Sequence, residues 1–163
     1  MKALKFIVLI LVLSFAVSAC QPTGSATEAP AANAEAPAEC SADALGCAVF
    51  KPGDLIKIGM GAPMTGGDAS YGIDISQGGL IAIKDQGELH GFTFVLLAED
   101  DGGTPEGGAA VANKFASDQG VLAVAGHVYS GATSAAMPIY EKAGIAMLSP
   151  SASLPALTTM GSS

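Results

Sequence analysis

Residues 126–153 read GHVYSGATSAAMPIYEKAGIAMLSPSAS and hold two serine-rich loops separated by a stretch with helical spacing. The loops are 129–133 and 149–153, and each follows an apolar run that predicts a strand. The carboxyl ends of parallel strands meet at one edge of a sheet, so both loops are expected there. Hydroxyl groups beside the free amides of a helix N-terminus suit a small carboxylate. The stretch therefore predicts a parallel sheet with an anion-binding edge.

Strands and helices alternate from residue 55 onward. The pattern predicts strands at 55–62, 92–98, 121–125 and 145–148, and helices at 71–86, 105–118 and 130–142. Thr104 followed by Pro105 marks a helix start. In the first helix, Ile73, Leu80 and Ile83 are expected on one apolar face. This alternation predicts an α/β fold with three layers, in which helices cover both faces of a parallel sheet.

Residues 1–19 have the layout of a signal peptide. The four residues that end at Cys20, Val-Ser-Ala-Cys, resemble the lipobox of bacterial lipoproteins. That resemblance implies a lipidated Cys20 and an exported protein anchored to a membrane, facing the periplasm or the exterior. The alternative is an uncleaved transmembrane helix, but the apolar run is only about 12 residues long, against roughly 20 for a span.

Residues 20–54 are expected to carry the folded part, 55–163, away from the membrane. Their first half is rich in Ala, Pro, Glu, Thr and Ser, which predicts a disordered tether. Cys40 and Cys47 follow, and an oxidising compartment would permit a small disulfide loop between them, with two free thiols as the alternative. A zinc site is disfavoured because no further Cys or His lies nearby until His90.

Charge and motif content exclude several functions. The formal net charge is −8 and all seven basic residues are lysine, so there is no basic stripe for nucleic acid. Gly59 and Gly61 have the spacing of the first two glycines of a dinucleotide-binding fingerprint, but Met64 stands where that fingerprint has its third glycine. Ser130 lacks the flanking glycines of a nucleophile elbow. The sequence predicts a protein that is not an enzyme and uses neither a cofactor nor a metal.

Residues 55–159 resemble the first lobe of the leucine/isoleucine/valine-type, or type I, periplasmic substrate-binding proteins of bacterial ABC importers. The resemblance rests on the order and spacing of short motifs across the lobe. These motifs are Ile56-Lys57-Ile58-Gly59, Gly66, Tyr71-Gly72, Asp100-Asp101, Ala110-Val111-Ala112-Asn113-Lys114, Gly126-His127, Ser130, Thr133, Ile139-Tyr140-Glu141, Gly144-Ile145 and Ser149-Pro150-Ser151-Ala152-Ser153. The resemblance implies two α/β lobes that close on a ligand. It also implies binding of a branched-chain type amino acid or an amide, and delivery to an ABC permease.

The same resemblance assigns ligand contacts to residues of this lobe. Ser130 would bind the ligand carboxylate through its hydroxyl and neighbouring amides, Ser151 through its backbone, and Ser153 through its hydroxyl. The alternative for Ser130 and Ser153 is helix capping. Tyr71 would line the mouth of the cleft, and packing against the lobe is its alternative. In the family, the acid that binds the ligand ammonium lies on a second lobe, which this sequence does not contain.

The chain departs from the family at a cysteine pair that spans the first lobe. The matching positions are near Gly102 or Gly103 and at Tyr129. Tyr129, next to Ser130, is expected to narrow the cleft and to contact the ligand. This departure leaves the ligand class open among amino acids, amides, urea and aromatic acids.

Two further polar features have structural interpretations. The acids at 99–101 lack the spacing of a calcium loop, so they predict a solvated turn. His127 is expected to end the third strand as a structural histidine with its hydrogen bonds satisfied, because no acid motif adjoins it in the sequence.

The sequence reaches Ser163 without a strand after the helix start near 154–158, which predicts a fragment of a larger protein. The function predicted is that of a substrate-binding lipoprotein of an ABC importer. One alternative is a ligand-sensing receptor domain of the same fold. The other is an adhesive or structural surface lipoprotein.

Overall fold

The computed structural model describes residue 40 and residues 47–161. The predicted signal peptide, the predicted lipidation site Cys20, most of the predicted tether and the last two residues lie outside the described part. Within that part, no helix has the length and apolar character that a membrane span requires.

Four parallel strands form one sheet. They are β1 (Leu55–Ala62), β2 (Thr93–Asp100), β3 (Val121–Ala125) and β4 (Ala146–Leu148). Their order across the sheet is β2-β1-β3-β4. The predicted bounds of β1 and β3 are confirmed, whereas β2 runs on through the first two of the three acids that were predicted to form a turn. The loops after all four strands therefore open at one edge of the sheet.

Each strand is followed by a helix. The helices are α1 (Ala69–Gln86), α2 (Pro105–Ala116), α3 (Ser130–Ala143) and the single turn α4 (Leu157–Met160). The predicted cap of α2 is confirmed, because the Gly107 amide donates to Thr104 Oγ1 over 3.0 Å. At the other end of α3, Gly144 takes the left-handed conformation with φ 68°, a conformation that glycine adopts without steric cost.

Two consecutive residues of β1 show that helices cover both faces of the sheet. A Cβ on Gly59 would lie 2.8 Å from the Phe115 ring of α2. A Cβ on Gly79 of α1 would lie 2.9 Å from the Met60 side chain. Because neighbouring residues of a strand point to opposite faces, α1 and α2 lie on opposite sides of β1. The predicted three-layer α/β arrangement is confirmed.

The hydrophobic core lies on the face that carries α2 and α3. Phe115 of α2 and Tyr140 of α3 are each only 1% exposed. They pack with smaller apolar side chains of the same two helices and of β3. These are Val111, Ala112, Val121, Val124 and Ala136.

The face of α1 that packs on the sheet differs from the predicted one. Ile73 and Leu80 are 46% and 54% exposed, so the apolar face predicted from them and Ile83 is not the buried face of this helix. The buried residues of α1 are Gly72 and Ser76. Small residues let this helix approach the sheet closely, and a periodicity of large apolar residues cannot reveal such a face.

An ion pair lies at the amino edge of the sheet. Lys57 Nζ is 2.8 Å from the Asp118 carboxylate, which also accepts the Gly120 amide over 2.9 Å. These interactions, with the lysine the larger cause, lower the pKa of Asp118. The pair links β1 to the turn that begins β3.

Cys40 and Cys47 are joined by a disulfide, with their Cα atoms 5.2 Å apart. The bridge lies ahead of β1 in the chain.

We predict that Gly108→Ala destabilises the fold. A Cβ at Gly108 would lie 2.5 Å from the Ala132 carbonyl oxygen, so α2 and α3 would have to separate. The expected loss in the free energy of unfolding, measured by chemical denaturation, is about 1–3 kcal/mol. The control is Gly78→Ala in α1, where no heavy atom outside the helix lies within 4 Å. It should raise stability by roughly 0.5–1 kcal/mol, because alanine has the higher helix propensity. Equal stabilities for the two variants would contradict the close approach of α2 and α3.

Candidate functional site: a cleft at the carboxyl edge of the sheet

A cleft of about 590 Å³ opens at the carboxyl edge of the sheet. Its volume falls within the roughly 300–1,000 Å³ typical of small-molecule sites. Eight residues line it, and they come from the loop before α1, from α1 itself, and from the loops after β3 and β4. They are Asp68, Tyr71, Ile75, Val128, Tyr129, Ser130, Ser151 and Ser153. The structure thus brings together all five residues for which the sequence predicts ligand contact.

Ser130 connects the two serine loops. Its Oγ accepts hydrogen bonds from the Ser153 and Leu154 amides, each over 3.2 Å. The N-cap position of α3 belongs to Tyr129, which makes no side-chain cap bond, so Ser130 does not cap this helix. Ser153 does not cap α4 either, because Ala156 holds that position. The capping alternative for both serines is wrong.

The second serine loop is also held by hydrogen bonds to backbone carbonyls that directly precede the first. Ser151 Oγ donates to the Val128 carbonyl over 2.7 Å, and Ser149 Oγ donates to the His127 carbonyl over 2.5 Å. Ser149 Oγ in turn accepts the Ala152 amide over 2.9 Å. The hydroxyl of Ser151 is therefore used in a hydrogen bond within the protein.

A buried polar chain lies beneath the cleft. His127 is fully buried, and its Nδ1 lies 2.7 Å from Asp101 Oδ2. Its Nε2 lies 3.1 Å from the Tyr140 hydroxyl. Asp101 also accepts the Gly103 amide over 2.8 Å. Burial, and after it the negative charge of Asp101, raises the pKa of Tyr140, so this phenol keeps its proton.

These contacts confirm that His127 is a structural histidine with satisfied hydrogen bonds, and they correct two other expectations. Asp101 is 1% exposed, so it does not belong to a solvated turn. An acid does adjoin His127, but it comes from the end of β2, and only the fold brings the two residues together. With its ring sealed from solvent, His127 cannot reach a substrate in the cleft.

The other two acids of the predicted turn have partners as well. Asp100 accepts the Met64 and Gly102 amides over 2.8 and 2.9 Å and the Thr65 hydroxyl over 2.5 Å. These bonds, with the Thr65 hydroxyl first, lower the pKa of Asp100. Glu99 pairs with Lys114 over 2.6 Å. Asp100 thereby ties the loop before α1, which contributes to the cleft, to the end of β2.

The two tyrosines occupy different parts of the cleft. Tyr71 is 62% exposed, which argues against packing on the lobe and leaves its ring at the cleft surface. Tyr129 lies against Gly103, where a Cβ would come within 2.7 Å of its ring. The tyrosine ring thus fills the place at which the family resemblance puts a cysteine pair. Burial, followed by a hydrogen bond to Asp68, raises the pKa of Tyr129.

Asp68 is the cleft residue that the sequence did not single out. It directly precedes α1, at the N-cap position, where a short acid ordinarily bonds the helix amides. Its side chain makes no such bond and instead interacts with the Tyr129 hydroxyl. An acid directly before a helix is usually interpreted as an N-cap, so the local sequence does not show that Asp68 belongs to the cleft.

In the part of the chain that the structure describes, no group of three or more His, Cys, Asp or Glu side chains could hold a metal ion.

Comparison of the chain with known proteins agrees with this fold. A family model described as periplasmic binding protein matches residues 55–161. The chain belongs to this family. It is 41% identical over 109 residues to the Leu/Ile/Val-binding protein homolog 1 of Brucella abortus, a match that covers 65% of this chain and 29% of that protein. It is 40% identical over 111 residues to the leucine-, isoleucine-, valine-, threonine- and alanine-binding protein of Pseudomonas aeruginosa, covering 66% of this chain and 30% of that one.

Solved structures share the lobe. One is the branched-chain amino acid transporter substrate-binding protein of Streptococcus pneumoniae in complex with isoleucine, with 31% identity, a TM-score of 0.61, and coverage of 65% of this chain and 31% of that one. Another is a solute-binding protein of an ABC transporter from Rhodopseudomonas palustris in complex with 3,4-dihydroxybenzoic acid, with 26% identity, a TM-score of 0.61, and coverage of 66% and 30%. The chain therefore spans about a third or less of the length of the relatives that it matches.

We predict that Asp100→Asn lowers the melting temperature at neutral pH and has little effect in strong acid. The folded-state pKa of Asp100 is lowered, so its stabilisation is complete above the unfolded-state pKa and is lost as pH falls through the folded-state value. Thermal melts at pH 7 and at about pH 2 measure this difference. Asp74→Asn, which removes an exposed carboxylate from α1, is the control. A deficit for Asp100→Asn that stays as large in acid would contradict the assignment.

Proposed function

We propose that this chain is the ligand-binding lobe of a solute-binding lipoprotein that serves an ABC importer. Its ligand is an amino acid of the branched-chain type or a related small molecule. The observation that carries the proposal is the cleft, in which two serine loops and two tyrosines meet at the carboxyl edge of a parallel sheet. Open α/β sheets bind their ligands at this edge.

The hydrogen bonds of Ser130 support binding of a carboxylate. A serine hydroxyl has two acceptor positions and one proton to donate. Both acceptor positions of Ser130 are used by the Ser153 and Leu154 amides. Its proton is thereby left to donate towards the cleft, beside the first amides of α3, which lack partners within the helix. A ligand carboxylate at this place would also gain from the positive end of the α3 dipole.

The relatives support an amino acid as the ligand. Two of the curated relatives are named for leucine, isoleucine and valine binding, and one solved relative holds isoleucine. The cleft chemistry agrees, because its lining combines hydroxyl groups with the apolar side chains of Ile75 and Val128. Binding followed by transfer to a permease is the role that this set of relatives supports.

We predict that the chain binds L-leucine weakly and that Ser130→Ala weakens the binding further. The family closes two lobes on a ligand, so this lobe alone forms only part of the contacts, and NMR titration of the labelled chain is the suitable measurement. Amide resonances around residues 129–131 and 151–153 should shift. Loss of a hydrogen bond to a charged carboxylate should raise the Kd by about tenfold.

The control for this titration is Ser117→Ala, which removes a hydroxyl at the far end of α2 that bonds only its own helix. Its Kd should equal that of the wild type. If amino acids and amides all leave the cleft resonances in place, the proposed function is wrong.

The anchoring of the protein is part of the proposal. Residues 1–19 would direct export, Cys20 would carry the lipid, and the tether up to residue 54 would hold the lobe away from the membrane surface. Two or more acyl chains on Cys20 and the new amino terminus would give durable attachment.

We predict that Cys20→Ala abolishes lipid labelling. Metabolic labelling with a fatty acid in a bacterial host should mark the wild type and leave the variant unmarked, because the acceptor thiol is gone. Cys47→Ala is the control, since it removes a cysteine whose sulfur is bonded to Cys40 in a disulfide. Label retained on Cys20→Ala would refute the lipoprotein assignment.

A further inference from the structure

Serine hydroxyl groups hold the chain together beyond the carboxyl ends of β3 and β4. The last backbone bond of this strand pair runs from the Gly126 amide to the Leu148 carbonyl over 2.9 Å. Between the described residues 127–133 and 149–154, no backbone amide donates to a backbone carbonyl of the other segment. The hydrogen bonds that join these two segments use the hydroxyls of Ser130, Ser149 and Ser151. Side chains have thus taken over the role of the backbone ladder.

Ser149 organises the second of these segments. Its Oγ donates to the His127 carbonyl over 2.5 Å and accepts the Ala152 amide over 2.9 Å. The hydroxyl therefore bonds the segment after β3 and at the same time closes a turn of its own loop. Ser149 is not one of the residues that line the cleft. Its influence on a ligand is therefore indirect.

The turn that Ser149 closes brings two amides to Ser130. Ala152 is followed directly by Ser153 and Leu154, and the amides of both donate to Ser130 Oγ over 3.2 Å. With both acceptor positions of this hydroxyl occupied, its proton is the part that remains to be used. The direction of that proton is therefore set by the position of the two amides.

We propose that Ser149 is a positioning residue, which holds residues 152–154 so that the Ser130 hydroxyl points at the ligand carboxylate before the ligand arrives. The inference rests on the proposed function, because it concerns the same site. A hydroxyl that is already oriented loses little conformational freedom on binding, so more of its interaction with the ligand appears as affinity. Without the Ser149 hydroxyl, the Ala152 amide loses its acceptor, residues 152–154 move more freely, and the Ser130 hydroxyl rotates among several directions.

The lobe should remain folded without the Ser149 hydroxyl. The His127 carbonyl keeps the hydrogen bond that it accepts from the Thr133 hydroxyl over 3.1 Å. Ala152 is partly exposed, so water can take the place of the lost acceptor. Ser149→Ala is therefore a usable variant, and its thermal melt checks that it folds.

A double-mutant cycle with Ser130 tests the inference. The Kd for L-leucine is measured by NMR titration of the full chain. Ser149→Ala should raise this Kd by about fivefold, which is the effect expected for the loss of one neutral hydrogen bond. In a chain that already carries Ser130→Ala, the same substitution should leave the Kd unchanged, because Ser149 acts through the Ser130 hydroxyl. A role in folding alone would raise the Kd by the same factor in both backgrounds.

Rescue and hydrogen exchange complete the test. Ser149→Thr keeps a hydroxyl and should bind L-leucine as the wild type does, as should the control Ser117→Ala, whose hydroxyl bonds only its own helix. Without any ligand, the Ala152 amide of the wild type should be protected from exchange, because it donates to Ser149 Oγ. That protection should be lost in Ser149→Ala and kept in Ser149→Thr. The measurement on the wild type does not depend on whether any variant folds.

The outcomes separate the inference from the proposed function. If L-leucine binds and Ser130→Ala weakens the binding, but Ser149→Ala has no effect or has an equal effect in both backgrounds, the inference is overturned and the proposed function stands. An unprotected Ala152 amide in the wild type overturns the inference as well. If no amino acid, amide or carboxylate shifts the cleft resonances, the proposed function fails and the inference fails with it.

Discussion

The burial of His127 is the constraint on which the cleft depends. Its ring is sealed beneath the loops, held by Asp101 on one nitrogen and Tyr140 on the other. There is room for the ring because Gly61 of β1 has no side chain at that point. The carbonyl of His127 accepts the hydroxyls of Thr133 and Ser149. One residue thus connects the ends of β2 and β3, the start of α3 and the loop after β4. These contacts position the two loops that carry the cleft serines.

The strand and helix pattern could be read from the sequence because it follows local rules. The apolar runs gave β1 and β3 their observed bounds, and Thr104 with Pro105 marked the start of α2. The orientation of α1 could not be read, because the helix buries Gly72 and Ser76 while Ile73 and Leu80 stay exposed. Periodicity reports large apolar side chains, and a helix that packs through small ones leaves no such signal.

The candidate site, too, could be predicted from the sequence only in part. The five residues expected to contact a ligand do converge, because parallel strands bring their carboxyl-end loops to one edge. The partners of those residues were not predictable. The contact between Asp101 and His127 joins positions 26 residues apart, and only the order β2-β1-β3-β4 brings their loops together. Asp68 looked like a helix cap and proved to belong to the cleft.

The ion pair of Lys57 and Asp118 lies at the amino edge of the sheet, opposite the cleft. The core of Phe115 and Tyr140 lies between the helices, also away from the cleft surface. Residues that stabilise the lobe are therefore largely different from those that touch its open edge, where Tyr71 and Ser153 are exposed. Substitutions at such exposed positions change little buried area, so the surface that a ligand meets can be altered there at little cost in the stability of the lobe.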